Sequence, residues 1–254
     1  MIKKEKGIEY EVINGKKHSK INLLFIHGTG CNKKFLRDFA VLFKEYNCYL
    51  IDLPGHGNSD NTGYNFDNYV KAISYLARKL SNVIIIGHSL GGTLALKISS
   101  LKLKSVVGSV ILNSAASWPK LDKDIMKKVR QGIIDIEWLM KAAGHTDNED
   151  VMNAIKTMDP AGHTIADFLI DEYINVENCL KNIKVPTLII GGEDEILALP
   201  EYSKRLHEQI DKSKLVMIPG GRHMVWLAEK HKVKDLVCDF ISKDILKERK
   251  AVLV

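Results

Sequence analysis

Long apolar runs are missing from this chain of 254 residues. Strings such as 23–26 and 83–86 reach only four residues, against the roughly 20 that a bilayer span requires. A transmembrane helix is therefore excluded. The opening Met1-Ile2-Lys3-Lys4-Glu5-Lys6-Gly7 carries basic residues with no apolar stretch behind them, so no secretory signal is predicted and a cytoplasmic location is expected. Cysteine is scarce. The four present (Cys31, Cys48, Cys179 and Cys238) are far apart and form no Cys-x-x-Cys pair, which argues against a disulfide framework or a zinc site and fits free thiols in a reducing compartment. A concentrated charge of one sign is also lacking. The net charge is +6, but the lysines are spread along the chain and mixed with acids. The densest basic stretch, 243–250, also holds Asp244 and Glu248 and reads as the solvated face of a terminal helix, not as a nucleic-acid surface. No internal repeat or low-complexity segment is present.

The chain does have the makings of a large core. With 45% hydrophobic and 27% charged residues it has the balance of an ordinary globular protein. Short β-branched runs at 8–13, 21–26, 48–52, 83–86, 106–112, 187–190 and 214–218 alternate with segments of helical period at 33–45, 66–80, 90–101, 201–210 and 230–247. Most of the runs lack alternating polar positions, as expected when both faces of a parallel sheet are covered. The predicted fold is α/β, with a mostly parallel central sheet of about seven or eight strands flanked by helices.

One region breaks the alternation. Between Leu112 and Pro186 the patterns are helical only, at 125–143, 149–158 and 164–180. These predict a helical cap over residues 114–184, inserted into a core made of residues 1–113 and 185–254. Ligands bind at the carboxyl ends of strands in open α/β sheets, so such a cap would shape a pocket and exclude water.

Gly87-His88-Ser89-Leu90-Gly91-Gly92 follows the 83–86 run and opens the 90–101 helix. A serine on a sharp strand-to-helix turn adopts strained angles, and its neighbours two before and two after must be tiny. Gly87 and Gly91 meet that demand. The turn would expose the Ser89 hydroxyl at a helix N-terminus, where developing negative charge is favoured. Acyl transfer also needs donors aimed at the oxyanion. The Leu90 amide, next after the nucleophile, is one candidate. Thr29, in His27-Gly28-Thr29-Gly30 at the end of an earlier strand, is the second. Among nine histidines, His223 is best placed as the base, in the loop Pro219-Gly220-Gly221-Arg222-His223 after the last strand. His88 points away from the serine and reads as a packing residue. His27 and His56 fall in turns, His145 and His163 in the cap, and His18, His207 and His231 at the surface. None pairs with a carboxylate at metal-ligand spacing, so neither a catalytic metal nor any other cofactor is expected. The base needs an acid to hold its other nitrogen. Gly191-Gly192-Glu193-Asp194-Glu195-Ile196 supplies two candidates, Asp194 and Glu195.

Over nearly its whole length the chain resembles the α/β-hydrolase fold superfamily, particularly its compact esterases and lipases with a helical cap. Five collinear pieces carry the resemblance: His27-Gly28-Thr29-Gly30, Asp52-Leu53-Pro54-Gly55-His56-Gly57-Asn58-Ser59, the serine turn, Pro186-Thr187-Leu188-Ile189-Ile190 with its acidic loop, and Gly221-Arg222-His223. The resemblance implies the order serine, acid, histidine, and makes 52–59 a structural turn. Such proteins usually carry the acid as Gly-x-x-Asp, nine residues after the proline. Ungapped register from Pro186 gives Glu195, whereas residue type favours Asp194, and both stay open. The expected activity is hydrolysis of a small-molecule carboxylic ester with a modestly apolar acyl group, by an esterase- or lipase-like serine hydrolase with a catalytic triad and an oxyanion hole. Trp118, Trp138 and Phe168 of the cap are candidates for the acyl pocket. The same fold admits a thioesterase, a lactonase, a carbon–carbon bond hydrolase, a haloperoxidase-like perhydrolase or an aminopeptidase, and, least expected, a non-catalytic binding protein. Monomer and homodimer are equally open.

Overall fold

The computed structural model describes residues 1–16, 19–158 and 162–247; His18, Glu248 and Lys250 lie outside them. In chain order the elements are β1 (Ile2–Glu5), β2 (Ile8–Ile13), β3 (Asn22–Ile26), α1 (Arg37–Ala40), β4 (Asn47–Ile51), α2 (Phe66–Lys79), β5 (Val83–His88), α3 (Leu90–Ser100) and β6 (Val106–Leu112). Then come α4 (Lys123–Arg130), α5 (Ile136–Ala143), α6 (Glu149–Ile155) and α7 (His163–Tyr173), followed by β7 (Thr187–Gly192), α8 (Pro200–Gln209), β8 (Ser213–Ile218), α9 (Val225–Ala228) and α10 (Lys230–Phe240). One 8-stranded sheet runs in the order β1-β2-β4-β3-β5-β6-β7-β8. β2 pairs antiparallel with β1 and β4, and every other pairing is parallel.

Alternate strand residues face opposite sides of the sheet, and here both sides are covered. Leu24 and Ile26 of β3 and Ile85 of β5 pack with Tyr69, Ile73 and Leu76 of α2 and Leu94 and Ile98 of α3. Leu23, Phe25, Ile84 and Ile86 point the other way, against Phe35, Phe39, Trp226, Val233 and Val237. Burial on two faces explains why these strands read as unbroken apolar runs. Strand β1 differs: Ile-Lys-Lys-Glu lies at the sheet edge and is largely exposed, so its composition carries no strand signal.

Three expected helices are shortened by local chemistry. In place of a helix over 33–45 there is a 3₁₀ turn, Lys33–Leu36, and the short α1. Beyond them i→i+3 bonds (Leu42 N–H to Phe39 O, Phe43 N–H to Ala40 O) roll the chain into turns, and Phe39 packs edge-on and Phe43 tilted against Phe25. The 125–143 pattern splits into α4 and α5 at Gly132, which has φ +78°, and Asp135 caps the new start by accepting from Trp138 N–H at 2.9 Å. The 164–180 pattern stops at Tyr173 because Asn175 bridges to Ser117 and Val176 N–H donates to Ala116 O. Residues 177–182 resume as a 3₁₀ turn.

The segment between β6 and β7 keeps a small core of its own, made of Ile125, Met126, Val129 and Phe168 with Trp138 packed on it. Among the described residues no helix is long and apolar enough to cross a membrane.

Candidate active site

The chain reverses direction along the sheet between β4 and β5, on either side of β3, so the carboxyl ends of β3 and β5 form the crevice typical of ligand sites in such sheets. Ser89 stands there, between β5 and α3, at φ 54° and ψ −124°. For a non-glycine residue this is a strained conformation. The surroundings enforce it. A Cβ at Gly87 would overlap the Gly91 carbonyl, and one at Gly91 would overlap the Ile26 carbonyl. The backbone is pinned on both sides, with Ser89 N–H donating to Leu112 O at 3.1 Å and Ser114 Oγ donating to Ser89 O at 2.6 Å. Leu90 is the first residue of α3, so its N–H has no acceptor within the helix.

Glu195 is buried, and its Oε2 lies 2.9 Å from His223 Nδ1. Three further donors hold it: Asn113 Nδ2 to Oε2 at 2.9 Å, and the Ile196 and Leu197 amides to Oε1 at 2.9 Å each. Burial alone would raise its pKa, but the histidine and these donors outweigh it and hold the carboxyl below the usual range. Asp194, the alternative by residue type, is exposed. Its N–H donates to Gly221 O, which turns its side chain away from His223. A carboxylate on Nδ1 fixes the proton there and leaves Nε2 as the acceptor.

His88 packs as expected. Its ring lies 5.7 Å from Phe35, 5.2 Å from Trp226 and 4.6 Å from His223, centroid to centroid, and burial, first, and the nearby His223 push its pKa well below the usual value. Its Nε2 bonds the His223 carbonyl at 3.1 Å. His27 is also neutral: burial, first, and His56 depress it to about 3, and its Nε2 accepts the Leu53 N–H at 3.2 Å, tying β3 to the 52–59 turn.

Ser89, His223 and Thr29 line one cavity of about 370 Å³. Its wall is mostly apolar and comes from both the sheet and the inserted helices. Trp118 and Phe168 reach it. Trp138 does not: successive helical residues are rotated by about 100°, so Leu139 and Met140 of α5 face the cavity while Trp138 packs behind, 6.4 Å from Phe168.

Several participants escaped the sequence reading. Asn113 follows β6 at φ 43° and holds both Glu195 and the Arg222 carbonyl. His145 Nε2 accepts the Arg222 N–H at 3.0 Å, and Met224 N–H donates to Ala143 O, so α5 and the turn after it brace the His223 loop. On α7, Asp167 and Asp171 bond the loop after β3. Nothing local marks them, since they read as ordinary acids on a helix.

Residues 23–236 match the alpha/beta hydrolase family. A pimeloyl-[acyl-carrier protein] methyl ester esterase of Wigglesworthia glossinidia brevipalpis is 27% identical, over 88% of this chain and 94% of that protein. The solved structure of a lipase-esterase related protein from Clostridium acetobutylicum is 31% identical, covers 92% of this chain and 100% of its own, and superposes with a TM-score of 0.87. An enol-lactonase from Burkholderia xenovorans, 17% identical over 96% of this chain and 100% of its own, shares the fold with a TM-score of 0.81. The chain belongs to the alpha/beta hydrolase family.

Proposed function

We propose that this protein is a serine hydrolase cleaving a small-molecule carboxylic ester through an acyl-enzyme, without a cofactor. The observation that carries the reading is the buried Glu195–His223 pair, 2.9 Å apart, opening onto the same cavity as Ser89 on its strained turn. In the proposed cycle His223 Nε2 takes the proton of Ser89 Oγ as that oxygen bonds to the ester carbonyl carbon. The carbonyl π electrons move onto oxygen, and the amides of Thr29 and Leu90 hold the resulting oxyanion. The intermediate collapses, the bond to the leaving alkoxy oxygen breaks, and the His223 proton leaves with the alcohol. Water then repeats the sequence on the acyl-enzyme. Glu195 serves as the triad acid, keeping the tautomer and stabilising the imidazolium.

Residues 114–184 act in this reading as a lid, and its separate small core around Phe168 supports that assignment. Trp118 and Phe168, with the apolar wall beside them, favour a modestly apolar acyl group. The four free cysteines fit a cytoplasmic setting.

A fluorophosphonate probe tests the reading. Covalent labelling in the wild type and none in Ser89→Ala is expected, and an unlabelled, folded wild type would sink it. A panel of p-nitrophenyl esters of graded length, with thioesters, lactones and an amino-acid anilide alongside, separates ester hydrolysis from the other chemistries of the fold.

A further inference from the structure

We infer that Asp167 and Asp171 of α7 are positioning residues for the oxyanion loop, so that the inserted helix forms part of the machinery it covers; this rests on the acyl-transfer reading above. The two acids are one helical turn apart and share a face. Each holds one of two consecutive loop residues. Thr29 Oγ1 donates to Asp171 Oδ2 at 2.6 Å, and Gly30 N–H donates to Asp167 Oδ2 at 3.0 Å, contacts that join residues 142 and 137 positions apart in the chain. Thr164 of the same helix sits against Gly30, where an added Cβ would meet its Cγ2 at 2.9 Å.

A loop of this composition needs such a clamp. Thr29 lies between two glycines, and Gly30 has φ +70°, so the local sequence does little to fix where the Thr29 amide points. An oxyanion donor is useful only when it is pre-aimed at the developing charge. Bonds to the Thr29 side chain and to the next amide, from a helix packed over the cavity, supply that aim.

The two acids hold the loop by different chemistry. Asp167 takes three donors on its two oxygens: Gly30 N–H and His56 Nε2 on Oδ2, and Tyr69 Oη on Oδ1 at 2.8 Å. Among the described residues Asp171 has only the Thr29 hydroxyl, and its Oδ1 is buried without a partner there. Burial, first, pushes the Asp171 carboxyl well above its usual range; the Thr29 hydroxyl opposes this and the neighbouring Asp167 adds to it. The Thr29 contact therefore asks of Asp171 only an oxygen that accepts. An amide can replace it in that role. It serves poorly in place of Asp167: turned one way its NH₂ meets the Gly30 and His56 donors, and turned the other way it removes the charge beside His56 and forces the Tyr69 hydroxyl from donor to acceptor.

The test compares Asp171→Asn, Asp171→Ala and Asp167→Asn, with active sites counted by fluorophosphonate labelling. Asp171→Ala and Asp167→Asn should lower kcat by about tenfold to hundredfold with little change in KM, whereas Asp171→Asn should stay within about threefold of wild type. Inhibition by a trifluoromethyl ketone, whose hemiketal places an oxyanion in the hole, should weaken in step with kcat. Inhibition by the matching secondary alcohol, which forms no oxyanion, should hold. Equal weakening for both inhibitors, or kcat within about twofold for Asp171→Ala and Asp167→Asn, overturns the inference. Amide hydrogen exchange reads the clamp without turnover: Thr29 and Gly30 should exchange faster in Asp171→Ala and Asp167→Asn while β3 stays protected. Unchanged exchange overturns the clamp. Failure of the wild type to label or to cleave any ester overturns the hydrolase reading instead.

Discussion

The Oε2 atom of Glu195 lies 2.9 Å from Nδ1 of His223, with both side chains buried, while the neighbouring Asp194 is exposed. Removing the charge at 195 leaves the shape but lets His223 adopt the wrong tautomer. Glu195→Gln should lower kcat by about 10³–10⁴-fold, by the precedent for such an acid. Asp194→Asn should stay within about twofold. Steady-state kinetics on one p-nitrophenyl ester, run on both variants, checks the pair; equal losses would contradict the assignment.

Asn113 donates to Glu195 Oε2 and to the Arg222 carbonyl, at 2.9 and 3.2 Å. It therefore ties the end of β6 to the acid and to the residue before His223. A hydrogen bond to a charged group contributes about 1.5–3 kcal/mol, so Asn113→Ala should lower kcat roughly tenfold or more. Because one donor to the carboxylate is lost, the Glu195 pKa should rise, which moves the acid limb of the kcat/KM profile upward. A pH–rate profile of this variant measures that shift.

His56 and Asp167 form a buried pair with Nε2 and Oδ2 2.8 Å apart, and His56 Nδ1 faces the Pro54 carbonyl at 3.1 Å. Both ring nitrogens meet acceptors, which suits the imidazolium. Burial works against that charge, yet Asp167 and Pro54 outweigh it and raise the His56 pKa above its ordinary 6.5. Also facing the ring are His27, His163, Tyr64 and Tyr69, and Asp52 adds attraction at longer range. A group whose pKa is raised on folding contributes stability that is full below its unfolded value and fades as pH rises through the folded one. The Tm gap between wild type and Asp167→Asn should thus be widest below about pH 6.5, the unperturbed histidine value, and narrow at higher pH without vanishing, because the Gly30 and Tyr69 bonds do not titrate there. Thermal melts across pH 5.5–9 would show it; a gap that widens with pH would refute the ion pair.

Trp118 and Trp138 should separate substrate preference from stability. Trp118 lines the cavity, with its Nε1 donating to Thr93 Oγ1 at 3.3 Å, whereas Trp138 packs among Ile125, Met126 and Val129 behind Phe168. Trp118→Phe should shift the preferred acyl length toward longer chains as the cavity grows. Trp138→Ala should cost about 2–3 kcal/mol of stability through lost packing and change the acyl profile little. Ester panels and denaturant melts on the two variants distinguish these effects.

Much of the architecture and part of the candidate site were legible from residue order alone. Where the determining physics is local, a short window carries it. The turn at Ser89 depends on Gly87 and Gly91 fitting against carbonyls that other side chains would strike. Buried parallel strands such as β3 and β5 announce themselves as apolar runs because both their faces are covered. Edge strand β1, polar and half-solvated, has no such signature.

What only the tertiary structure decided depends on contacts between distant parts of the chain. The choice between Asp194 and Glu195 turns on which of two adjacent side chains in the loop faces inward, and the bonds from Glu193 to Ile218 and from Asp194 to Gly221 set that. The inward face of α5 takes Leu139 and not Trp138, because rotation about a helix axis is set by its neighbours. Asp167 and Asp171 look like ordinary acids on a helix until folding brings them to Thr29 and Gly30. Local sterics determined where the serine stands; long-range packing decided which side chains hold His223 and the loop of Thr29 and Gly30 in place.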